Sequence, residues 1–387
     1  MMQILIAPNA FKNSLAAADV ALAIREGFEQ SKLQCKLYCF PVGDGGDGTG
    51  ELILHHGNGL NISAEVHDPL GRKISSSFGL IDKGKTAVIE MSNASGLRLL
   101  NTSELNPLRA SSYGTGELIE RVLDRDVNKI IMCIGGSATV DGAVGMLQAL
   151  GFHFLNKDGK ELNNIPGSLV ELSSIDFLRV DKRINDCKII VLCDVENFLL
   201  GAEGAAAVFG PQKGATPDSV KKLEASLTKL RDIVFQQTGK DMSVIKHGGA
   251  AGGVAAGLAA LLNAELVNGI EHFLLLTHFD KALEKTDLVI TGEGSIDLQT
   301  LQGKGPFGVA KKAKEKGIPV IGLAGKVPIG TVEALDEYFD VLLSINKEPV
   351  DLAAALSQTY QNLKTTAKDI GDLLAQHGSF KKSIFRQ

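Results

Sequence analysis

Residues 134–151, IGGSATVDGAVGMLQALG, constrain this chain more than any other stretch. The apolar run 130–134 is long enough for one buried strand and stops at Gly135-Gly136. Ser137, Thr139 and Asp141 follow, while Val140, Val144, Leu147 and Leu150 fall on one side of a helix. The first amides of a helix lack internal partners and sit at the positive end of its dipole. Gly135, Gly136, Ser137 and Thr139 are therefore expected to cradle an anion, and phosphate is the commonest of the right size. The same residues would also make a tight capped turn, with glycine there only for close packing. The recurrence of similar Gly/Ser/Thr/Asp loops along the chain favours the anion site.

The opening reads as βαβ: a strand at 4–7, a helix near 15–29 striped by Val20, Ile24 and Phe28, and a strand at 35–42. The loop 43–50, GDGGDGTG, matches G-x-G-x-x-G, but a dinucleotide site is rejected. The loop follows the second strand, its Asp44 and Asp47 would repel a pyrophosphate, and the first βα turn contains no glycine. Two carboxylates on a glycine loop suit Mg²⁺, which takes one or two carboxylates plus phosphate oxygens; the alternative is that they cap the helix carrying Leu52, Ile53 and Leu54. From residue 61 the pattern becomes an antiparallel meander, with turns at 68–71 and 82–85. Parallel texture returns from residue 287, where a strand runs into the polar loop 292–305 carrying Glu293, Asp297, Gln299, Thr300 and Lys304. Long polar loops in compact domains are usually functional or disordered.

The expected fold is therefore α/β. A parallel three-layer domain, 1–60 plus 285–387, carries an inserted mixed α/β domain, 61–284, with a cleft between the two. With 387 residues the chain exceeds one typical core. Asp194 closes the buried run 188–193, where open α/β sheets place their chemistry; a turn residue bonded to nearby amides is the other reading. Gly248 and Gly249 open a Gly/Ala-rich helix and could add an anion-facing turn, whereas Gly253 and Gly257 suit close helix packing.

A net charge of −5 and the lack of a basic cluster argue against nucleic acid. No apolar run would span a bilayer and no signal peptide is evident, so a cytoplasmic protein is expected. The 5 cysteines form no CxxC and read as reduced core thiols. Neither a P-loop nor a Cys/His nucleophile arrangement is present. Glycines, hydroxyls, carboxylates and lysines at five strand ends are the inventory of phosphoryl transfer, which needs positioning and charge stabilisation.

The stretches IAPNAFKNSLAA, PVGDGGDGT, AVIEMSNASGL, SYGTGELI, IGGSATVDGAVGMLQALG, VLCDVENFLLGAEGAAAVFGPQKGA, GGAAGGVAAGL and ITGEGSIDLQTLQGK resemble, in order and spacing, the bacterial glycerate kinases of glyoxylate and glucarate pathways. The resemblance implies ATP-dependent, Mg²⁺-dependent phosphorylation of D-glycerate, usually at the 2-hydroxyl, with 3-phosphoglycerate the other product. It departs at Asn9, Ala10 and Asn13, where the family more often has an acid, a hydroxyl and a glycine. It departs again at Val140, at Ser295, where arginine is usual, and at Leu298.

Residue chemistry and loop position then assign expected roles. Asp194 is the general base, Lys12 and Lys304 neutralise phosphate or the substrate carboxylate, and Asp44 and Glu293 hold Mg²⁺. Asp47, Asp141, Asp297, Gln299 and Thr300 are further cleft candidates. The partners are D-glycerate and a nucleotide, with a homo-oligomer left open. The Asn9 and Ser295 departures keep alive a non-catalytic sensor that binds a nucleotide or organic acid.

Overall fold

A computed structural model describes residues 1–330 and 332–376. Its strands are β1 (Met2–Ile6), β2 (Cys35–Cys39), β3 (Leu60–His67), β4 (Lys73–Ile81), β5 (Thr86–Glu90), β6 (Lys129–Cys133), β7 (His153–Leu155), β8 (Ser174–Asp176), β9 (Lys188–Cys193), β10 (Glu265–Asn268), β11 (Leu288–Ser295), β12 (Val320–Lys326) and β13 (Val341–Ser344). The chain divides into two compact units: Met1–Asp44 with the described residues from Ile270 onward, and Gly45–Gly269. The mixed α/β class is the one expected.

The first unit holds a parallel sheet in the order β13-β12-β11-β1-β2. Alternate strand residues Ile4, Ile6 and Ile290 face one side, where they pack with Val20, Ile24, Phe28, Leu363 and Ala367. Those partners come from the helices Ala17–Glu29 and Leu352–Gln376. Gly27 lets the two helices meet closely, since a Cβ there would lie 2.2 Å from the Lys364 carbonyl oxygen. The helix Gly305–Glu315 packs on β11 and β12 and buries Val309, Ala310 and Ala313. A buried aliphatic or aromatic side chain contributes about 1.5–3 kcal/mol, so this core dominates the unit's stability.

The second unit holds a six-stranded sheet, β10-β9-β6-β5-β4-β3. The expected meander is there: β3-β4 and β4-β5 are antiparallel. It does not stand apart from the parallel texture, because β5 pairs parallel with β6, β6 with β9 and β9 with β10. Ile89, Ile130, Met132, Val191 and Leu227 share one core. The helix Pro217–Thr238 starts on Thr216, whose side chain accepts from the Ser219 amide, and stops at Gly239 with φ 73°. That is cap chemistry at both ends.

Three element ends differ from the sequence expectation. The helix after β6 is short, Val144–Ala149, and Ala143 before it has φ 71°, so residues 137–143 are not helical. The helix Ala250–Leu262 contains left-handed Ala251, Gly252 and Gly253; a Cβ at Gly257 would lie 2.0 Å from the Gly142 carbonyl oxygen, which is the close packing expected there. Finally, β11 continues through Gly292, Glu293 and Gly294 to Ser295, so the first four residues of the expected loop are strand, paired to β12. All five cysteines are free, but Cys35 is half-buried and Cys39 exposed, so these two are not core thiols. Among the described residues no helix is long and apolar enough to cross a membrane.

Candidate active site

In the first unit, β2, β1 and β11 are parallel neighbours, and Asp44, Asn9 and Glu293 lie at or beyond their carboxyl ends. That edge is where open α/β sheets hold ligands. Asn9 Nδ2 donates to Asp44 Oδ2 at 2.7 Å, and the Gly305 amide donates to the same oxygen at 3.2 Å. Gly305 must lack a side chain, since a Cβ would lie 2.8 Å from Asn9 Nδ2. Asn9 thus orients Asp44 as a donor.

Glu293 is buried on β11 and accepts from Thr300 Oγ1 at 2.8 Å. Its proton affinity is pushed up to about 7, chiefly by burial. The Lys304 charge and the Thr300 bond oppose that shift, Asp44 adds to it, and Lys12 opposes it more weakly. The expected residues Lys12, Asp44, Thr300 and Lys304 are therefore all within electrostatic or hydrogen-bond reach of Glu293. Lys304 also sits at the N-cap of the helix Gly305–Glu315. Asp297 and Gln299 shape the adjoining turn: Asp297 Oδ1 accepts from the Gln299 amide at 2.9 Å, and the Asp297 amide donates to Thr300 Oγ1 at 3.1 Å. Gln299 is exposed.

In the second unit, Glu90, Gly135 and Asp194 lie at or beyond the carboxyl ends of parallel neighbours β5, β6 and β9. Two amides of the expected anion loop, residues 135–141, already have backbone acceptors. The Gly135 amide donates to the Gly45 carbonyl at 3.0 Å, and the Ala138 amide to the Ser95 carbonyl at 2.9 Å. Asp47 lies against Gly136, where a Cβ would meet its Oδ1 at 2.0 Å. Gly136 needs to be glycine for a second reason, its φ of 67°.

The anion at the helix start is the protein's own. Asp141 is fully buried, and one of its oxygens accepts from the Ser112 amide and hydroxyl at 2.8 and 2.7 Å and from the Gly145 amide at 3.3 Å. Its other oxygen accepts from the Ala143 amide at 3.2 Å. Burial pushes its proton affinity up, and those donors pull it back.

Asp194 is half-buried after β9. The residues beyond it are clamped: His247 Nδ1 donates to the Val195 carbonyl at 2.6 Å, and the Gly249 amide to the Asn197 carbonyl at 2.8 Å. The Gly248 amide donates to the Ile245 carbonyl at 3.0 Å. Of the two expected anion-facing glycines, Gly249 thus ties down the segment after Asp194, while the Gly248 amide closes its own turn.

Three polar residues of this unit escaped sequence reasoning. Buried Glu90 accepts from the Gly48 amide, and burial raises its proton affinity. Ser112 caps the helix Tyr113–Leu123 and holds Asp141. Lys213 is buried and donates to Ser137 Oγ at 2.8 Å and to the Thr139 carbonyl at 2.6 Å. Lys213 was visible only as a lysine in a Gly/Pro turn, a pattern that ordinarily marks solvent.

Known proteins match across nearly the whole length. The model of the glycerate kinase family matches residues 4–375. A glycerate kinase of Halalkalibacterium halodurans is 42% identical over 370 residues, covering 96% of this chain and 97% of the relative. The glycerate 2-kinase of Escherichia coli is 41% identical over 378 residues, covering 97% and 98%. A crystal structure from Salmonella typhimurium LT2, of a protein assigned as glycerate kinase 2, superposes with a TM-score of 0.81 at 40% identity and covers 97% of this chain and 99% of its own. The chain belongs to the glycerate kinase family.

Proposed function

We propose that this protein transfers the γ-phosphoryl group of ATP to the 2-hydroxyl of D-glycerate, giving ADP and 2-phosphoglycerate, with Mg²⁺. The observation that carries the reading is the buried Glu293, flanked by Asp44, Thr300, Lys304 and Lys12 at the carboxyl edge of a parallel sheet. Such a set suits a ligand that is anionic and brings its own cation. The 2-position is supported by the name of the Escherichia coli relative.

The residues present fit Mg²⁺. Among the described residues no three or more His, Cys, Asp or Glu gather as a complete protein cage. Two carboxylates, Asp44 and Glu293, leave the remaining positions to phosphate oxygens and water, the usual Mg²⁺ arrangement with nucleotides. A bound Mg²⁺ would neutralise charge on the phosphate oxygens. Lys12 and Lys304 compensate charge on phosphate or on the glycerate carboxylate. Asp194 takes the proton of the attacking hydroxyl as the new O–P bond forms and the bond to the ADP oxygen breaks. A cytoplasmic setting, where ATP is held, belongs to the same proposal.

Incubation with ATP, Mg²⁺ and D-glycerate should yield glycerate-dependent ADP, and phosphorus NMR should show the ester at carbon 2. Nucleotide binding without ADP release would instead mark a sensor. An ester at carbon 3 would move the acceptor without changing the reaction class.

A further inference from the structure

We propose that Lys213 is a positioning residue that sets the Ser137 hydroxyl for the nucleotide phosphates; the inference rests on the kinase reading above. Lys213 ends the turn Pro211–Lys213, which closes on Gly214 with φ 92°. A Cβ at Gly214 would lie 2.5 Å from the Leu105 carbonyl oxygen, so the turn is packed in place and the lysine leaves it in a fixed direction. Its amine then bonds two points of one loop, Ser137 Oγ and the carbonyl of Thr139. That pair of bonds fixes both a side-chain rotamer and a peptide plane.

The partners are a hydroxyl and a carbonyl, not a carboxylate. Asp141 is close enough to favour the charged amine, but its carboxylate accepts its hydrogen bonds from Ser112, Ala143 and Gly145. Burial is the larger influence and brings the amine down to about 7. Burying an amine without a direct counter-ion is costly, and an apolar side chain of similar length would hold the turn at less cost. What only the amine supplies is a donor to Ser137 and positive potential behind the loop. The Gly135 and Ala138 amides already have backbone acceptors, so these two are not available to an anion. Thr139 Oγ1, on the residue whose carbonyl Lys213 holds, is buried without a hydrogen-bond partner.

The test compares Lys213→Met, Ser137→Ala and the double variant, each checked by thermal melt, in assays with ATP, Mg²⁺ and D-glycerate. Each single change should lower kcat/KM for ATP by about tenfold, the scale of one hydrogen bond to a charged group. The loss should fall on the KM for ATP more than on the KM for D-glycerate. The double variant should be no worse than the poorer single one, because the lysine acts through the serine. Lys213→Gln, which keeps a donor, should restore part of the loss. A folded Lys213→Met enzyme with wild-type kcat/KM for ATP overturns the proposal, as do single losses that multiply in the double variant. Should both Lys213 variants fail to fold, Ser137→Ala decides: unchanged kcat/KM for ATP overturns the proposal and a raised KM for ATP supports it. If the wild type makes no glycerate-dependent ADP, the kinase reading has failed, and ATP affinity measured by calorimetry on the same variants tests Lys213 separately.

Discussion

Burial, with a second acid nearby, makes a carboxyl group hold its proton to a higher pH, and Glu293 is such a group, raised from 4.5 to about 7. Between those two values the folded protein binds a proton that the unfolded chain has released. Its contribution is therefore most favourable below pH 4.5 and declines as pH rises, and the full penalty of about 3 kcal/mol stands above pH 7. Glu293→Gln keeps an acceptor for Thr300 and removes that penalty. The variant should melt several degrees above wild type at pH 8, with a much smaller gap at pH 5, and should lose glycerate-dependent ADP formation. A variant melting below wild type at pH 8 would show that Glu293 is not held at a cost. Asp194 has a different test. Asp194→Ala should lower kcat by about 10²-fold or more while the melt stays close to wild type. Near-normal turnover would remove it from the proton transfer.

Element by element, sequence pattern located the strands wherever both faces are apolar, as in residues 130–134 and 188–193, because an unbroken apolar run has few other uses. It lost β11 after Thr291: Gly292, Glu293, Gly294 and Ser295 carry no apolar signal and stay in the strand through backbone pairing with β12. Residues 44, 293, 300 and 304 were legible as candidates because each is polar beside a buried strand or opens a helix, whereas Asn9 stood out only as a departure from the family pattern. Lys213 was not, since its burial comes from Ser137 and Thr139, 76 and 74 residues earlier in the chain. Asp141 was legible as an acid at a helix start, but its main partner, Ser112, lies 29 residues back. Removing that acid leaves buried donors unmatched on both the Val144–Ala149 and Tyr113–Leu123 helices. Asp141→Ala should therefore cost about 3–5 kcal/mol, read as a lower urea midpoint, an effect far larger than loss of an exposed cap. Gly27→Ala tests helix packing in the other unit. Alanine favours helix by about 1 kcal/mol, yet its Cβ would stand 2.2 Å from the Lys364 carbonyl oxygen. The packing effect should win, for a net loss of about 1–3 kcal/mol; a raised urea midpoint would mean that the two helices separate easily.

At the scale of the whole molecule, the chain order makes the two units unequal. The second is one continuous segment, Gly45–Gly269, with its own core running through Ile89, Ile130, Met132, Val191 and Leu227. Both of its ends are tied down within it: the Gly45 carbonyl accepts from Gly135, and β10, just before Gly269, pairs with β9. The first unit is made from two separated segments. Its β11 takes β1 as a central neighbour, with Ile4 opposite Leu288, and its long last helix packs on the helix Ala17–Glu29. A segment starting at residue 270 lacks both partners and would expose one edge of β11 and the apolar face of the last helix. Residues 45–269 expressed alone should therefore give a sigmoidal thermal melt and a native-like circular dichroism spectrum, whereas residues 270–387 alone should show neither and should aggregate. The isolated 45–269 segment should also form no ADP from ATP and D-glycerate, because Lys12, Asp44, Glu293 and Lys304 are outside it. A gradual, non-cooperative melt of that segment would mean that its core depends on the rest of the chain, and the division into two self-sufficient packing units would have to be abandoned.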